Sequence, residues 1–326
     1  MSVLVTGGAG YIGSHMVLAL LQLGENVVVL DDLSTGIRAL VPPSATFFEG
    51  TVGDYPLVRS ILSRHKVDSI LHFAGSTVVP ESVEKPLRYY ANNTTASRSL
   101  IEAAVDSGVQ NFIFSSTAAV YKTPETATVT ETAATSPATP YGRSKLMIEW
   151  ILQDAARASS LRYIIFRYFN VAGADPDGRT GQSTPNATHL IKRACQVALG
   201  RHPYLGIYGT DYPTPDGTGV RDYIHVSDLV AAHALGLRHL RNGGDSDVFN
   251  CGYGHGFSVR EIVAAVERAA GHAVPAMELP RRAGDLAAVI SDSCKLKNRL
   301  GWIPRHDEID FIVDSALSWE RRLNVS

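Results

Sequence analysis

Residues 5–13 read VTGGAGYIG. Two glycine spacings are satisfied at once: Gly7, Gly10 and Gly13 as G-x-x-G-x-x-G, and Gly8, Gly10 and Gly13 as G-x-G-x-x-G. Glycines here let the backbone turn sharply and approach a pyrophosphate. That group sits at a helix N-terminus, where unpaired N–H groups point outward. The flanks fit. SVLVT (2–6) is a buried-strand run, and IGSHMVLALLQLG (12–24) reads as a helix closed by Gly24. NVVVLD (26–31) is a second strand ending in Asp31, 18 residues after Gly13. A carboxylate there accepts hydrogen bonds from an adenine ribose and repels a 2′-phosphate. The bland alternative is a tight turn and a solvated aspartate; the strand–glycine–helix order favours a dinucleotide, NAD rather than NADP.

The same alternation continues along the chain. ATFFEG (45–50), VDSILHFAG (67–75), NFIFSST (111–117) and RYIIFRYFNVAG (162–173) read as strands, and YPLVRSILSRH (55–65) as a helix. A long helix is expected over 85–108, with Pro near its start and Gly at its end, and another over 141–159. Short apolar runs alternating with helices predict an α/β fold: a doubly wound parallel sheet of Rossmann type, its strands buried on both faces. Beyond Gly173 the pattern is irregular, with helices near 186–200 and 258–271, and predicts a smaller mixed α/β substrate-binding lobe. The expected division is 1–173 as the NAD-binding domain with a return segment near 222–255, and 174–221 with 256–326 as the lobe. TPETATVTETAATSPATP (123–140) reads as a long surface loop.

Composition narrows the class. The 326 residues are 45% hydrophobic and 19% charged, as in a soluble globular protein, and a net charge of −2 offers no basic field for nucleic acid. Cys195, Cys251 and Cys294 form neither a metal-binding pattern nor a disulfide framework, so a reducing, cytoplasmic setting and no metal site are expected. No apolar run is long enough to span a bilayer, and residue 2 enters a strand without a basic leader, so neither membrane insertion nor secretion is expected.

YGRSK (141–145) sets Tyr141 one helical turn before Lys145. Alone, such a pair is more often a surface contact than an acid/base. The surrounding motifs change that. TGGAGYIGSH, HFAG, FSST, YGRSK, RYFNVAGADPDG, YPTPDGTGVRDYIHVSDL and RRAGDL resemble the extended short-chain dehydrogenase/reductases over nearly the whole chain, and within them the UDP-glucose 4-epimerases. The glycine loop and Y-x-x-x-K mark only the superfamily; DGTGVRDYIHV and its spacing to RRAGD are more specific.

The resemblance implies interconversion of UDP-glucose and UDP-galactose. NAD takes hydride from C4, the 4-keto intermediate turns over in the site, and the hydride returns to its other face. Tyr141 would be the base, Lys145 its cationic partner and Thr117 the hydroxyl bridging O4 and the phenol. A free phenol titrates near about 10, so the base needs nearby positive charge to act at neutral pH. The implied cofactor site comprises Gly7, Gly10, Tyr11, Ile12, Gly13, Asp31, Asp32, Thr51, Val52, Phe73, Ala74, Gly75, Asn92, Ser115 and Tyr168, with Tyr141 and Lys145. The implied UDP-sugar site comprises Thr117, Tyr141, Asn170, His189, Leu190, Gly206, Tyr208, Arg221, Arg282, Asp285 and Val289. Arg221 and Arg282 would clamp the diphosphate, which a guanidinium fork suits. A homodimer paired through the helices 85–108 and 141–159 is also implied, with Tyr89, Leu100, Ile101, Met147, Ile148 and Ile151 as candidate contacts.

Some positions depart from the family pattern. Thr51 replaces an Asp, Thr77 a Lys, Lys122 a Gly, His189 an Asn, and Val289 a bulkier residue. Asp54 reads as a helix cap. Two other functions compete. A nucleotide-sugar dehydratase needs acid/base side chains after Thr117, where Ala118 and Ala119 stand. A non-catalytic NAD-binding regulator has no need of Thr117, Tyr141 and Lys145 together. The choice among hexose, N-acetylhexosamine, pentose and uronate as the UDP-sugar stays open at this level.

Overall fold

The computed structural model describes residues 1–122, 126–184, 187–282 and 285–323. The strands are β1 (Ser2–Thr6), β2 (Asn26–Asp31), β3 (Thr46–Glu49), β4 (Val67–His72), β5 (Asn111–Ser115), β6 (Thr128–Val129), β7 (Arg162–Tyr168) and β8 (Asn170–Ala172), followed by β9 (Leu205–Tyr208), β10 (Val220–Arg221), β11 (Tyr223–His225), β12 (Asp247–Cys251), β13 (Phe257–Ser258), β14 (Ala276–Leu279) and β15 (Ala288–Ser291). The helices are α1 (Tyr11–Gln22), α2 (Tyr55–Arg64), α3 (Val79–Glu84), α4 (Pro86–Tyr89), α5 (Ala96–Asp106), α6 (Pro140–Arg157), α7 (Leu190–Ala198), α8 (Val226–Arg241), α9 (Val259–Ala270), α10 (Cys294–Leu300) and α11 (Ile309–Arg322).

Seven parallel strands form the main sheet in the order β12-β7-β5-β4-β1-β2-β3. Strand side chains alternate across it, as the pleat requires. Val3 and Val5 enter the apolar layer under α1, α8, α9 and α11, whereas Leu4 enters the layer under α2, α5 and α6. Both layers are dry, which is why these strands read as unbroken apolar runs. Outward crossovers from β1 and β4 run in opposite directions, so their carboxyl ends open a crevice, the place where such sheets bind ligands. The all-parallel doubly wound α/β expectation therefore holds.

Several element boundaries differ from the sequence reading. The fourth and fifth strands end early, at His72 and Ser115, which leaves Phe73–Gly75 and Ser116–Thr117 as loops at the crevice. The expected strand 162–173 divides at Phe169: β7 stays in the main sheet, and β8 turns away to pair with β11. The expected helix 85–108 is interrupted at Tyr90–Thr95 by a wider π-type turn. The segment 123–140 is no simple loop: β6 lies within it and pairs with β15, and Tyr121 bridges to Thr135. Its residues 123–125 lie outside the described residues, as do 185–186 of the expected helix 186–200, which is formed over Leu190–Ala198. Beyond Gly173, α8, α10 and α11 were not expected. Residues 222–255 contribute β11, α8 and the outermost strand, β12. Asp54 does cap α2, its Oδ1 accepting from Leu57 N at 3.0 Å.

Candidate active site

The glycine loop fits by exclusion of side chains. Gly7 has φ +69°, and a Cβ there would lie 2.6 Å from Ala74 N. At Gly13 a Cβ would lie 2.0 Å from Gly7 O. A Cβ at Gly8 would lie 2.7 Å from Val29 Cγ1, so the close packing of the turn excludes side chains in both glycine spacings. Gly10 caps α1 without a side chain, and no acidic residue stands in the first turn. The positive helix end therefore faces the crevice free of an internal anion, which suits a pyrophosphate. Tyr11 Oη donates to Gly173 O at 2.6 Å, and burial pushes its pKa up. Ile12 packs against the apolar layer.

Asp31 is buried, and its two oxygens accept from Ala9 N and Leu33 N, both at 2.9 Å. It thereby locks the glycine loop to the end of β2. Burial raises its pKa, opposed by those two hydrogen bonds. Asp32 Oδ1 accepts from Ser34 Oγ at 2.6 Å. Thr51 turns its hydroxyl to Gly53 N at 3.2 Å, and Val52 is buried.

Phe73, Ala74 and Gly75 follow β4 and border Gly7. Asn92 donates to Ser76 Oγ at 2.8 Å. Its neighbour Asn93 was missed by the sequence reading. It is fully buried, accepts from Ser76 N at 2.7 Å and donates to Ser144 Oγ at 3.0 Å. Asn93 thus ties the Gly75–Ser76 turn to α6. An Asn-Asn pair inside an apparent helix offered no signal; the π-type turn is what aims both side chains inward.

Thr139 caps α6 through Gly142 N at 3.2 Å, so the helix begins where Tyr141 meets the crevice. Tyr141 and Lys145 are both buried. Burial holds the Tyr141 pKa above the ordinary value, and the neighbouring Thr117 hydroxyl acts to lower it. Lys145 Nζ donates to Ser115 O at 3.0 Å. Burial pushes the Lys145 pKa down to about 8, and Glu149 opposes this. The expected depression of the phenol by Lys145 is therefore not a property of the protein alone, because desolvation disfavours both charged forms. Tyr168 lies against Ser115 and Tyr141, its pKa raised chiefly by burial.

A cavity of about 60 Å³ is lined by Tyr11, Asn170, His189, Leu190 and Tyr223 among others. Burial and then Lys192 lower the His189 pKa. Arg221 and Val289 are register partners on β10 and β15. Val289 packs against the small apolar cluster of Val120, Tyr121, Val129 and Leu146, as do Ala118 and Phe169. Farther out, Gly206 and Tyr208 lie on β9, Arg282 stacks over the Tyr208 ring at 3.6 Å, and Asp285 N donates to Arg282 O at 3.2 Å. Residues 283 and 284 of the RRAGDL motif lie outside the described residues. Thr77 and Lys122 are exposed.

A glycine cradle on a parallel sheet, a buried aspartate closing the second strand beside it and a buried Thr–Tyr–Lys set at the same crevice define a nicotinamide-dinucleotide enzyme of the short-chain dehydrogenase/reductase class. Residues 3–252 match the NAD dependent epimerase/dehydratase family, and the chain belongs to that family. It is 56% identical to the UDP-glucose 4-epimerase of Azospirillum brasilense, covering 99% of this chain and 93% of the relative. UDP-glucose 4-epimerase from Brucella ovis in complex with NAD superposes with a TM-score of 0.95 at 43% identity, over 97% of both chains. The UDP-Glc/GlcNAc 4-epimerase from Campylobacter jejuni does so with a TM-score of 0.87 at 45% identity, over 98% of this chain and 99% of the other.

Proposed function

We propose that the chain interconverts UDP-glucose and UDP-galactose with NAD as a resident cofactor. The observation that carries the reading is the buried trio of Thr117, Tyr141 and, one turn on, Lys145, at the crevice that Gly7 and Gly13 keep open. Bound NAD would supply reversible oxidation at C4 of the sugar. The protein's own tasks are then proton handling and grip. Tyr141 takes the O4 proton through Thr117 and returns it, and Lys145 supplies the positive charge that favours the phenolate. Residues 1–173 with 222–255 hold NAD; 174–221 with 256–326 hold the UDP-sugar, with Arg221 and Arg282 on the diphosphate and Asp285 on the uridine ribose. The sugar turns within a pocket reaching Asn170, His189, Leu190 and Val289 while the diphosphate stays held. The test is conversion of UDP-galactose by purified protein without added NAD; no conversion of any UDP-sugar would refute the reading.

Val289 is proposed as the size gate for the sugar's 2-substituent, since it pairs in register with Arg221 and packs against the cluster that holds Val120 and Tyr121, a few residues beyond Thr117. Valine leaves room that a tyrosine ring would fill, and rejecting one misfit group is worth about 1–3 kcal/mol. Val289→Tyr is expected to lower kcat/KM for UDP-N-acetylgalactosamine at least about tenfold relative to UDP-galactose. An unchanged ratio removes Val289 as the gate.

A cytoplasmic homodimer is the proposed working form. Among the described residues no helix is long and apolar enough to cross a membrane. Tyr89, Leu100, Ile101 and Ile148 are buried against the chain's own core. The expected contacts Ile101 and Ile151 line a groove between α5 and α6 with Val105 and Ala155, and Trp150 and Leu87, 52% and 80% exposed, add apolar surface on α6 and α4. Light scattering at micromolar concentration should give twice the 35.1 kDa chain mass; a monomer mass counts against pairing.

A further inference from the structure

We propose that Glu149 is a positioning residue for this reaction: from one turn beyond Lys145 it ties the Ser115–Thr117 strand end to α6 and serves as counter-charge to the buried Lys145 ammonium. The sequence marks Glu149 only as one more charge on a helix, yet it is 0% exposed. Its Oε1 accepts from Ser116 Oγ at 2.5 Å and from Arg167 Nε at 3.1 Å; its Oε2 accepts from Arg167 Nε at 3.2 Å and Nη2 at 2.5 Å. Accepting only, it is the carboxylate form that meets these donors.

Each partner leads to the reacting groups. Ser116 lies between Ser115, whose carbonyl accepts from Lys145, and Thr117, whose hydroxyl neighbours the Tyr141 phenol. Arg167 precedes Tyr168, and its guanidinium faces the Tyr121 ring at 4.9 Å. Tyr121 in turn donates to Asn250 on β12 at 2.6 Å. A fully satisfied buried network of this kind holds its members in one geometry.

The charges around Lys145 leave Glu149 a distinct part. Tyr141 and Glu149 lie one turn to either side of it on α6, His72 on β4 is close enough to feel its charge, Arg167 on β7 pairs with Glu149, and Tyr168 lies beside Tyr141. Tyr89 from α4 and Cys251 from β12 stand next to Tyr141 and Tyr168; Tyr121 and Tyr163 adjoin Glu149. Burial raises the pKa of each of these tyrosines and of Cys251, and lowers that of His72 to about 3. All are neutral near pH 7 in the protein alone. Glu149 and Arg167 are then the full charges, and Glu149 is the attractive one. It opposes the burial that pushes the Lys145 pKa down to about 8.

The inference rests on the reading of Lys145 as a site residue, so its test includes a readout separate from turnover. Lysine labelled with ¹³C at Cε gives a resonance for Lys145, assigned by its loss in Lys145→Met. Its titration midpoint is expected to fall by about one pH unit in Glu149→Gln, since a charge within a turn shifts a buried group by that order. The alkaline limb of kcat should move with it. Arg167 is left unpaired in that variant. Glu149→Gln/Arg167→Met removes both charges, and its midpoint should lie between the single variant and wild type. Ser116→Ala should lower kcat at every pH and leave the midpoint in place. A midpoint equal to wild type in the single or the double variant overturns the proposal. A midpoint that moves without the kcat limb leaves Glu149 as the counter-charge and refutes the role of Lys145 in turnover.

Discussion

Tyr141→Phe is expected to fold normally, retain its NAD and lose turnover on the order of 10²-fold or more, the usual worth of a positioned acid/base. The substitution removes one hydroxyl and keeps the ring. That ring makes an edge contact with Tyr89, centroids 6.5 Å apart at 89°, which phenylalanine preserves. What disappears is the phenol hydroxyl beside Thr117, the group proposed to exchange a proton with O4. Circular dichroism and the NAD content of the purified protein check the fold and the cradle; kcat for UDP-galactose checks the chemistry. Near-normal kcat would remove Tyr141 from the mechanism.

Gly7→Ala should abolish retention of NAD and destabilise the chain by several kcal/mol. Two costs combine. The residue has φ +69°, where a side chain costs roughly 1–2 kcal/mol. The new methyl would also lie 2.6 Å from Ala74 N and 2.9 Å from Ala74 Cα, both backbone atoms that move only if the end of β4 moves. Gly24→Ala separates these effects. Gly24 has φ +79° and nothing within 4 Å of its would-be Cβ, so it carries the backbone cost alone. Thermal melts and NAD content of the two variants are the comparison. Equal losses would mean that the Gly7–Ala74 contact does not shape the cofactor site.

Local pattern made the central part of this fold legible. Strands buried on both faces need no alternation, so runs such as VVVL and FIF stand out, and the glycine loop between β1 and α1 announces itself by steric need. Where two elements abut without a turn signal, the sequence was silent. RYIIFRYFNVAG reads as one strand, yet Phe169 is where the chain leaves the main sheet for β11. β12 was hidden because DVFNC mixes polar and apolar residues: Asp247 and Asn250 make side-chain bonds to Lys295 and Tyr121 across elements far away in sequence. The same holds for the site. Tyr141 and Lys145 share a motif, whereas Asn93 and Glu149 gain their meaning only when Ser76, Ser116 and Arg167 arrive from elsewhere. The ionisation of the Tyr–Lys pair was read from the charges of Lys145 and the nicotinamide; burial, which a linear sequence does not display, acts against both charged forms in the protein by itself.

The claim at the centre of this account is reversible oxidation at C4 inside one closed site. UDP-galactose deuterated at C4 should be followed by NMR as the purified protein acts on it with no NAD added. The account predicts UDP-glucose carrying the deuterium at C4, formed at one equilibrium ratio from either starting sugar. Loss of the label to solvent, or an absolute requirement for added NAD, would contradict it.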